Sequence, residues 1–201
     1  IGEYSTGKST FINAIIGDEY LPSGIGTTTG RYTKITDSED TRMCFTVSAE
    51  GEEKEIKITW DKENGKYKID TDTACNNYAD LLKTILDAKD NPISQIRNLL
   101  TFLNASSDKI EEFEKNKFEY NNEKLLKKDF FEFCKAVKTD TEILLNIPFS
   151  NIRLDNKELK LTLLDTPGDN ANNDEHAKIL ENILKNQTSS IPLFLYKKDS
   201  I

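Results

Sequence analysis

Residues Gly2-Glu3-Tyr4-Ser5-Thr6-Gly7-Lys8-Ser9 follow the spacing G-x-x-x-x-G-K-[ST], which few folds can accommodate. Gly2 and Gly7 let the backbone turn tightly enough for successive N–H groups to face a phosphate. Lys8 is expected to reach the β- and γ-phosphates as a point charge, Ser9 to place its hydroxyl on Mg²⁺, and Thr10 to meet the α-phosphate as a helix begins. A nucleoside triphosphate is the implied ligand. The helix is legible: Phe11, Ile12, Ile15 and Ile16 are expected on one buried face with Lys8 and Asn13 elsewhere, and Gly17 ends the run. A loop of this kind normally joins a buried strand to its helix, yet only Ile1 precedes Gly2, so the chain is expected to be incomplete at this end.

A second stretch, Leu161-Thr162-Leu163-Leu164-Asp165-Thr166-Pro167-Gly168, reads as a short apolar strand that ends in an acid and a Pro-Gly turn. Asp165 is placed where a strand-end carboxylate could hold Mg²⁺ through water, and Gly168 where its N–H could meet the γ-phosphate. A third stretch, Leu21-Pro22-Ser23-Gly24-Ile25-Gly26-Thr27-Thr28-Thr29-Gly30, reads as an adaptable loop with three hydroxyls in a row. One of these threonines could sense the γ-phosphate as a metal ligand.

Composition narrows the classes further. The 201 residues carry a net charge of −8, which argues against a nucleic-acid surface. No apolar run approaches the roughly 18 to 20 residues that cross a bilayer, so any membrane contact is expected from regions outside this chain. Cys44, Cys75 and Cys134 lack metal-ligand spacing and read as reduced cytosolic thiols. His176 is the sole histidine, which leaves no material for a Ser/His or Cys/His triad.

Together these stretches resemble the dynamin superfamily of large GTPases. Gly2 to Thr10 looks like its phosphate loop, Ser5 included. Leu21 to Gly26 with the threonines after it is similar to the first switch of mitofusins and bacterial dynamin-like proteins, and Asp165-Thr166-Pro167-Gly168 to the second. The resemblance implies GTP/GDP and Mg²⁺ as ligands. It assigns catalysis to Lys8, Ser5 and Thr29, with Thr28 the next register. Phosphate binding falls to Gly2, Glu3, Tyr4, Ser5, Thr6, Gly7, Lys8, Ser9, Thr10, Asp165 and Gly168, and the metal to Ser9, Thr29 and Asp165. Dynamin proper has glutamine where this chain has Tyr4, which points toward the mitofusin-like or bacterial branch. Homo- or hetero-dimerisation across the nucleotide face, a cytoplasmic setting and membrane remodelling through regions outside the chain are further implications.

Guanine selectivity rests on that resemblance alone. Tyr196-Lys197-Lys198-Asp199 is superficially close to the base-reading [NT]-K-x-D, but it comes about one βα unit, roughly 30 residues, too soon and reads as a solvated strand end. After Gly168 there is room for one helix, about 174–185, and one strand, about 191–196. Truncation at both ends is therefore expected.

The predicted fold is α/β, a P-loop NTPase with a mostly parallel sheet flanked by helices. Strands are expected at 32–36, 43–48, 55–60, 143–147, 152–154 and 161–164. Helical periodicity at 78–86, 96–103 and from Phe130 to Val137, after an Asp129 cap, suggests a helical insertion over 65–140 between the two switch-like stretches. The Lys- and Glu-rich run 111–128 reads as a solvated helix face. Two other readings stay open: a soluble GTPase or ATPase of another P-loop class, such as a ribosome- or RNA-associated one, and a nucleotide-binding scaffold without turnover.

Overall fold

Alternation along β2 (Arg42–Ala49) shows how the core is built: Met43, Phe45, Val47 and Ala49 are buried, while the intervening side chains lie on the opposite face. The computed structural model describes residues 7–23, 31–86, 91–104, 119–120, 123–124, 132–133, 135–137, 141–152, 160–166, 181 and 185. Within them, β1 (Thr33–Asp37), β2, β3 (Glu52–Asp61), β4 (Lys66–Asp70), β7 (Ile143–Ile147) and β8 (Thr162–Asp165) form one sheet in the order β4-β3-β2-β7-β1-β8. A separate two-stranded ribbon pairs β5 (Glu119–Tyr120) with β6 (Glu123–Lys124).

This sheet is mixed, which corrects the mostly parallel expectation. Among the described strands only β1 and β7 run parallel; β1–β8, β2–β7, β2–β3 and β3–β4 are antiparallel. For β2–β3 and β3–β4 the cause is connection length, because a parallel neighbour needs a crossover of a dozen or more residues. Between β2 and β3 there are two residues, Glu50 and Gly51, with φ of 55° and 83°. Both lie in the left-handed region, as a tight hairpin turn of matching twist requires. Residues 66–70, expected in the helical stretch, are a strand. Its Tyr67 pairs with Trp60 of β3, ring centroids 4.9 Å apart, and the Tyr67 hydroxyl donates to the Pro92 carbonyl at 2.9 Å.

Helices α1 (Lys8–Ile16), α2 (Asn76–Leu86) and α3 (Pro92–Leu103) share one core with the sheet. Leu81, Leu82, Ile85 and Leu86 of α2 are buried, as are Ile96, Leu99, Leu100 and Leu103 of α3, the helical spacing read from the sequence. Pro92 opens α3 with Asn91 as its cap, the Asn91 side chain accepting from the Ser94 N–H at 2.8 Å. Phe133 joins sheet to helices, packing against Phe45 at 6.3 Å and Tyr78 at 5.5 Å. In α1 the expected face is rotated: Asn13 is buried with Ile12 and Ile16, whereas Phe11 is 40% exposed. Ile152 is not in a strand, and residues 153–154, like Asp129, Phe130, Cys134 and the expected elements at 174–185 and 191–196, lie outside the described residues or are described only at isolated positions.

On the far face of the sheet, Cys44, Glu53, Glu55, Thr141, Glu142 and Leu144 line an open groove of about 560 Å³. The Cys44 thiol donates to Glu55 Oε1 at 2.6 Å, and burial together with that carboxylate pushes the thiol up to about 12. Cys44 is therefore protonated at neutral pH, and the nucleophilic thiolate is scarce. Alkylation of the Cys44 peptide at pH 8, followed by mass spectrometry, should be slow and should accelerate severalfold in Glu55→Gln. Equal rates in the two proteins would show that Glu55 does not hold the proton. Because the folded state raises this thiol above its ordinary value of 9.0, its contribution to stability is present below about pH 9 and declines as pH rises toward 12.

Candidate functional site

The amino end of α1 meets the carboxyl end of β8. Gly7 caps α1 with φ 81° and ψ 24°, a left-handed conformation that only glycine adopts without strain, and no side chain caps the helix. No acid sits among the residues of that first turn. Lys8 and Ser9 lie in that turn, half-buried, and Thr10 is exposed beside them. A helix N-terminus, its dipole and a lysine at one point make an electropositive corner suited to an anion.

Across from it, Asp165 closes β8 and is only 2% exposed. Ser9 Oγ donates to Asp165 Oδ2 at 3.0 Å, joining residues 156 positions apart. Two hard oxygens at this separation suit Mg²⁺, because cis ligands of an octahedron with ~2.1 Å bonds stand ~3.0 Å apart. Close by in sequence and register, Thr166 Oγ1 and Thr33 Oγ1 are buried and make no hydrogen bond; Thr33 pairs with Asp165 across β1 and β8. A buried carboxylate and idle hydroxyls are costly in an apolar setting, and a cation with its water shell would offset that cost. The donor set therefore fits the metal.

Of the sequence-predicted site residues, Gly7, Lys8, Ser9, Thr10 and Asp165 are described, and Ser9 and Asp165 are in direct contact. Gly2, Glu3, Tyr4, Ser5, Thr6, Thr28, Thr29 and Gly168 lie outside the described residues, as does Asp199.

Asn13, Arg31 and Asn104 had no role assigned from the sequence. Asn13, 6% exposed, grips Leu21 twice: its Nδ2 donates to the Leu21 carbonyl at 2.8 Å and its Oδ1 accepts from the Leu21 N–H at 2.9 Å. Arg31, 5% exposed, donates its N–H to Asn104 Oδ1 at 3.0 Å and its guanidinium to the Val137 carbonyl at 2.6 Å. A polar residue between Ile12 and Ile16 was the available signal for Asn13. Arg31 and Asn104 are 73 positions apart and offered none.

A sequence model for the dynamin family matches residues 1–200. Among curated proteins none matches the chain.

Proposed function

The chain belongs to the dynamin family, and from that premise we propose that it binds GTP with Mg²⁺ and hydrolyses it to GDP and phosphate. The contact between Ser9 and Asp165 carries this reading, since it joins the first turn of α1 to the end of β8, where a phosphate-bound cation is expected. Gly7 and the first-turn N–H groups orient the phosphates. Lys8 offsets the charge that spreads over the γ-phosphate as water attacks in line. Ser9 and Asp165 would hold Mg²⁺, which when bound neutralises the β- and γ-oxygens. Thr29, or Thr28 in the adjacent register, would position the water, and Thr29 would help hold the metal. Ser5 contributes to the phosphate loop, and Gly168 senses the γ-phosphate through its N–H.

The finer assignment is to a mitofusin-like or bacterial dynamin-like branch, supported by Tyr4 and by Leu21 to Gly26. In that setting two copies meet across the nucleotide face, activity rises on dimerisation, and membrane remodelling is carried by regions outside this chain. No helix among the described residues is long and apolar enough to cross a membrane.

The test is hydrolysis of GTP and ATP over a protein concentration series, with Mg²⁺ or with a chelator. Specific activity should favour GTP, rise with concentration, vanish with the chelator and be lost in Thr29→Ala. Nucleotide binding with no turnover at any concentration would sink the enzyme reading. Preference for ATP would sink the guanine assignment.

A further inference from the structure

Thr33 opens β1 with a side chain that is 0% exposed and an Oγ1 that makes no hydrogen bond. Register fixes its neighbours on that face of the sheet. Across β1–β7 it opposes Ile143, and two residues along β1 comes Ile35, both fully buried. Across β1–β8 it opposes Asp165. Asp165 is thus the one polar side chain among these three neighbours. Directly opposed residues share a face and hold their Cβ atoms about 4.5–5.5 Å apart, a gap that a hydroxyl and a carboxylate oxygen can close.

Thr36 of the same strand shows what such a pair does when it is complete. On the opposite face it looks across β1–β8 at Thr162, and the two hydroxyls bond at 3.1 Å. A buried hydroxyl without a partner costs free energy that a methyl of the same shape would not. One staggered step about χ1 turns the Thr33 hydroxyl toward its neighbour without moving the backbone. Ser9 Oγ already donates to Asp165 Oδ2 from the α1 side. A donor from the β1 side would hold the carboxylate from another direction and fix its plane, and loss of such outer hydrogen bonds weakens metal binding.

We propose that Thr33 is a positioning residue for Asp165: its hydroxyl donates to the Asp165 carboxylate when Mg²⁺ is bound, and so holds the carboxylate in the orientation that the cation requires. This rests on the Mg²⁺-nucleotide reading above. Thr33 touches neither nucleotide nor metal. In the metal-free protein its hydroxyl is a liability, so deleting it acts with opposite signs on stability and on metal binding.

Thr33→Val keeps the shape and deletes the hydroxyl, Thr33→Ser keeps the hydroxyl and deletes the methyl, and Thr36→Val deletes the bonded hydroxyl on the other face. With the full chain, the thermal midpoint without nucleotide or metal would be measured. Binding of a fluorescent non-hydrolysable GTP analogue would be followed across a Mg²⁺ series and in chelator. Thr33→Val should match or exceed the wild-type midpoint, raise the Mg²⁺ concentration at half-effect about tenfold, and bind the analogue in chelator within twofold of wild type. Thr33→Ser should keep the wild-type Mg²⁺ dependence despite a lower midpoint. Thr36→Val should lower the midpoint and leave the Mg²⁺ dependence unchanged.

Wild-type Mg²⁺ dependence in Thr33→Val would overturn the proposal, as would an equal loss of Mg²⁺ response in Thr36→Val, the mark of a general disturbance of the sheet. A midpoint that falls in Thr33→Val as far as in Thr36→Val, or a Thr33→Val chain that does not fold, overturns it too, because the hydroxyl is then bonded without the metal. A wild-type chain that binds the analogue with Mg²⁺ but does not turn over GTP defeats the hydrolysis reading alone, and the Mg²⁺ series still decides the role of Thr33. Wild-type binding that Mg²⁺ does not alter overturns both.

Discussion

Lys8→Ala should lower GTP turnover by about 10²–10³-fold, the typical cost of deleting one group aimed at developing transition-state charge. Lys8 sits in the first turn of α1 next to Gly7. Alanine is the best helix former, so the helix itself is not weakened and the thermal midpoint should move little. The loss therefore reports chemistry and not folding. Affinity for a GTP analogue should fall more than affinity for GDP, because the proposed role of the ammonium is to meet both the β- and γ-phosphates. The measurement is steady-state phosphate release with thermal denaturation of both proteins in parallel. Turnover within tenfold of wild type, in a protein of unchanged midpoint, would place the phosphates somewhere other than this corner.

Much of this corner is legible in the sequence because its parts are local. A phosphate loop and an acid at a strand end are each defined by a few adjacent residues, and the contact between Ser9 and Asp165 is what their joint presence predicts. The helices α2 and α3 and strands β2, β3, β7 and β8 are likewise carried by periodicity within each segment. Sheet polarity is different, since an alternating pattern says that a strand has a buried face and nothing about which neighbour it takes. β4 was missed because Lys66-Tyr67-Lys68-Ile69-Asp70 has only two apolar side chains, and its strand state comes from pairing with β3 through Trp60 and Tyr67.

The error in α1 has a geometric cause. At about 100° per residue, Ile12, Ile16 and Asn13 fall within an arc of about 100°, and Phe11 stands about 140° from Ile16. Hydrophobicity favoured Phe11, but the tertiary partner decided: only an amide at position 13 can satisfy both backbone groups of Leu21. The clamp of Arg31 by Asn104 and Val137 joins three distant segments, and no local pattern encodes it.

The far end of α1 supplies the largest expected loss of stability. Gly17 has φ 96°, and its N–H closes the helix on the Asn13 carbonyl at 2.8 Å. The loop after β7 seats on this same end: the Ser150 N–H donates to the Ile16 carbonyl at 2.7 Å, Ser150 Oγ to the same carbonyl at 3.2 Å, and Asn151 Nδ2 to the Ala14 carbonyl at 2.8 Å. A Cβ on residue 17 would overlap Ser150 Oγ and stand 3.0 Å from Asn151 Cγ and Oδ1. Gly17→Ala thus incurs left-handed strain of about 1–2 kcal/mol and the loss of about one hydrogen bond, about 1 kcal/mol, as Ser150 rotates away. The sum, about 2–3 kcal/mol, corresponds to a fall of about 5–10 °C in the thermal midpoint of a chain this size. Ser150→Ala in the Gly17→Ala background removes the overlapping oxygen while leaving the backbone strain. It should therefore make the double variant less unstable than the two single effects added together. Strict additivity in the denaturation midpoints would show that the cost is backbone strain alone and that the loop after β7 does not press on the end of α1.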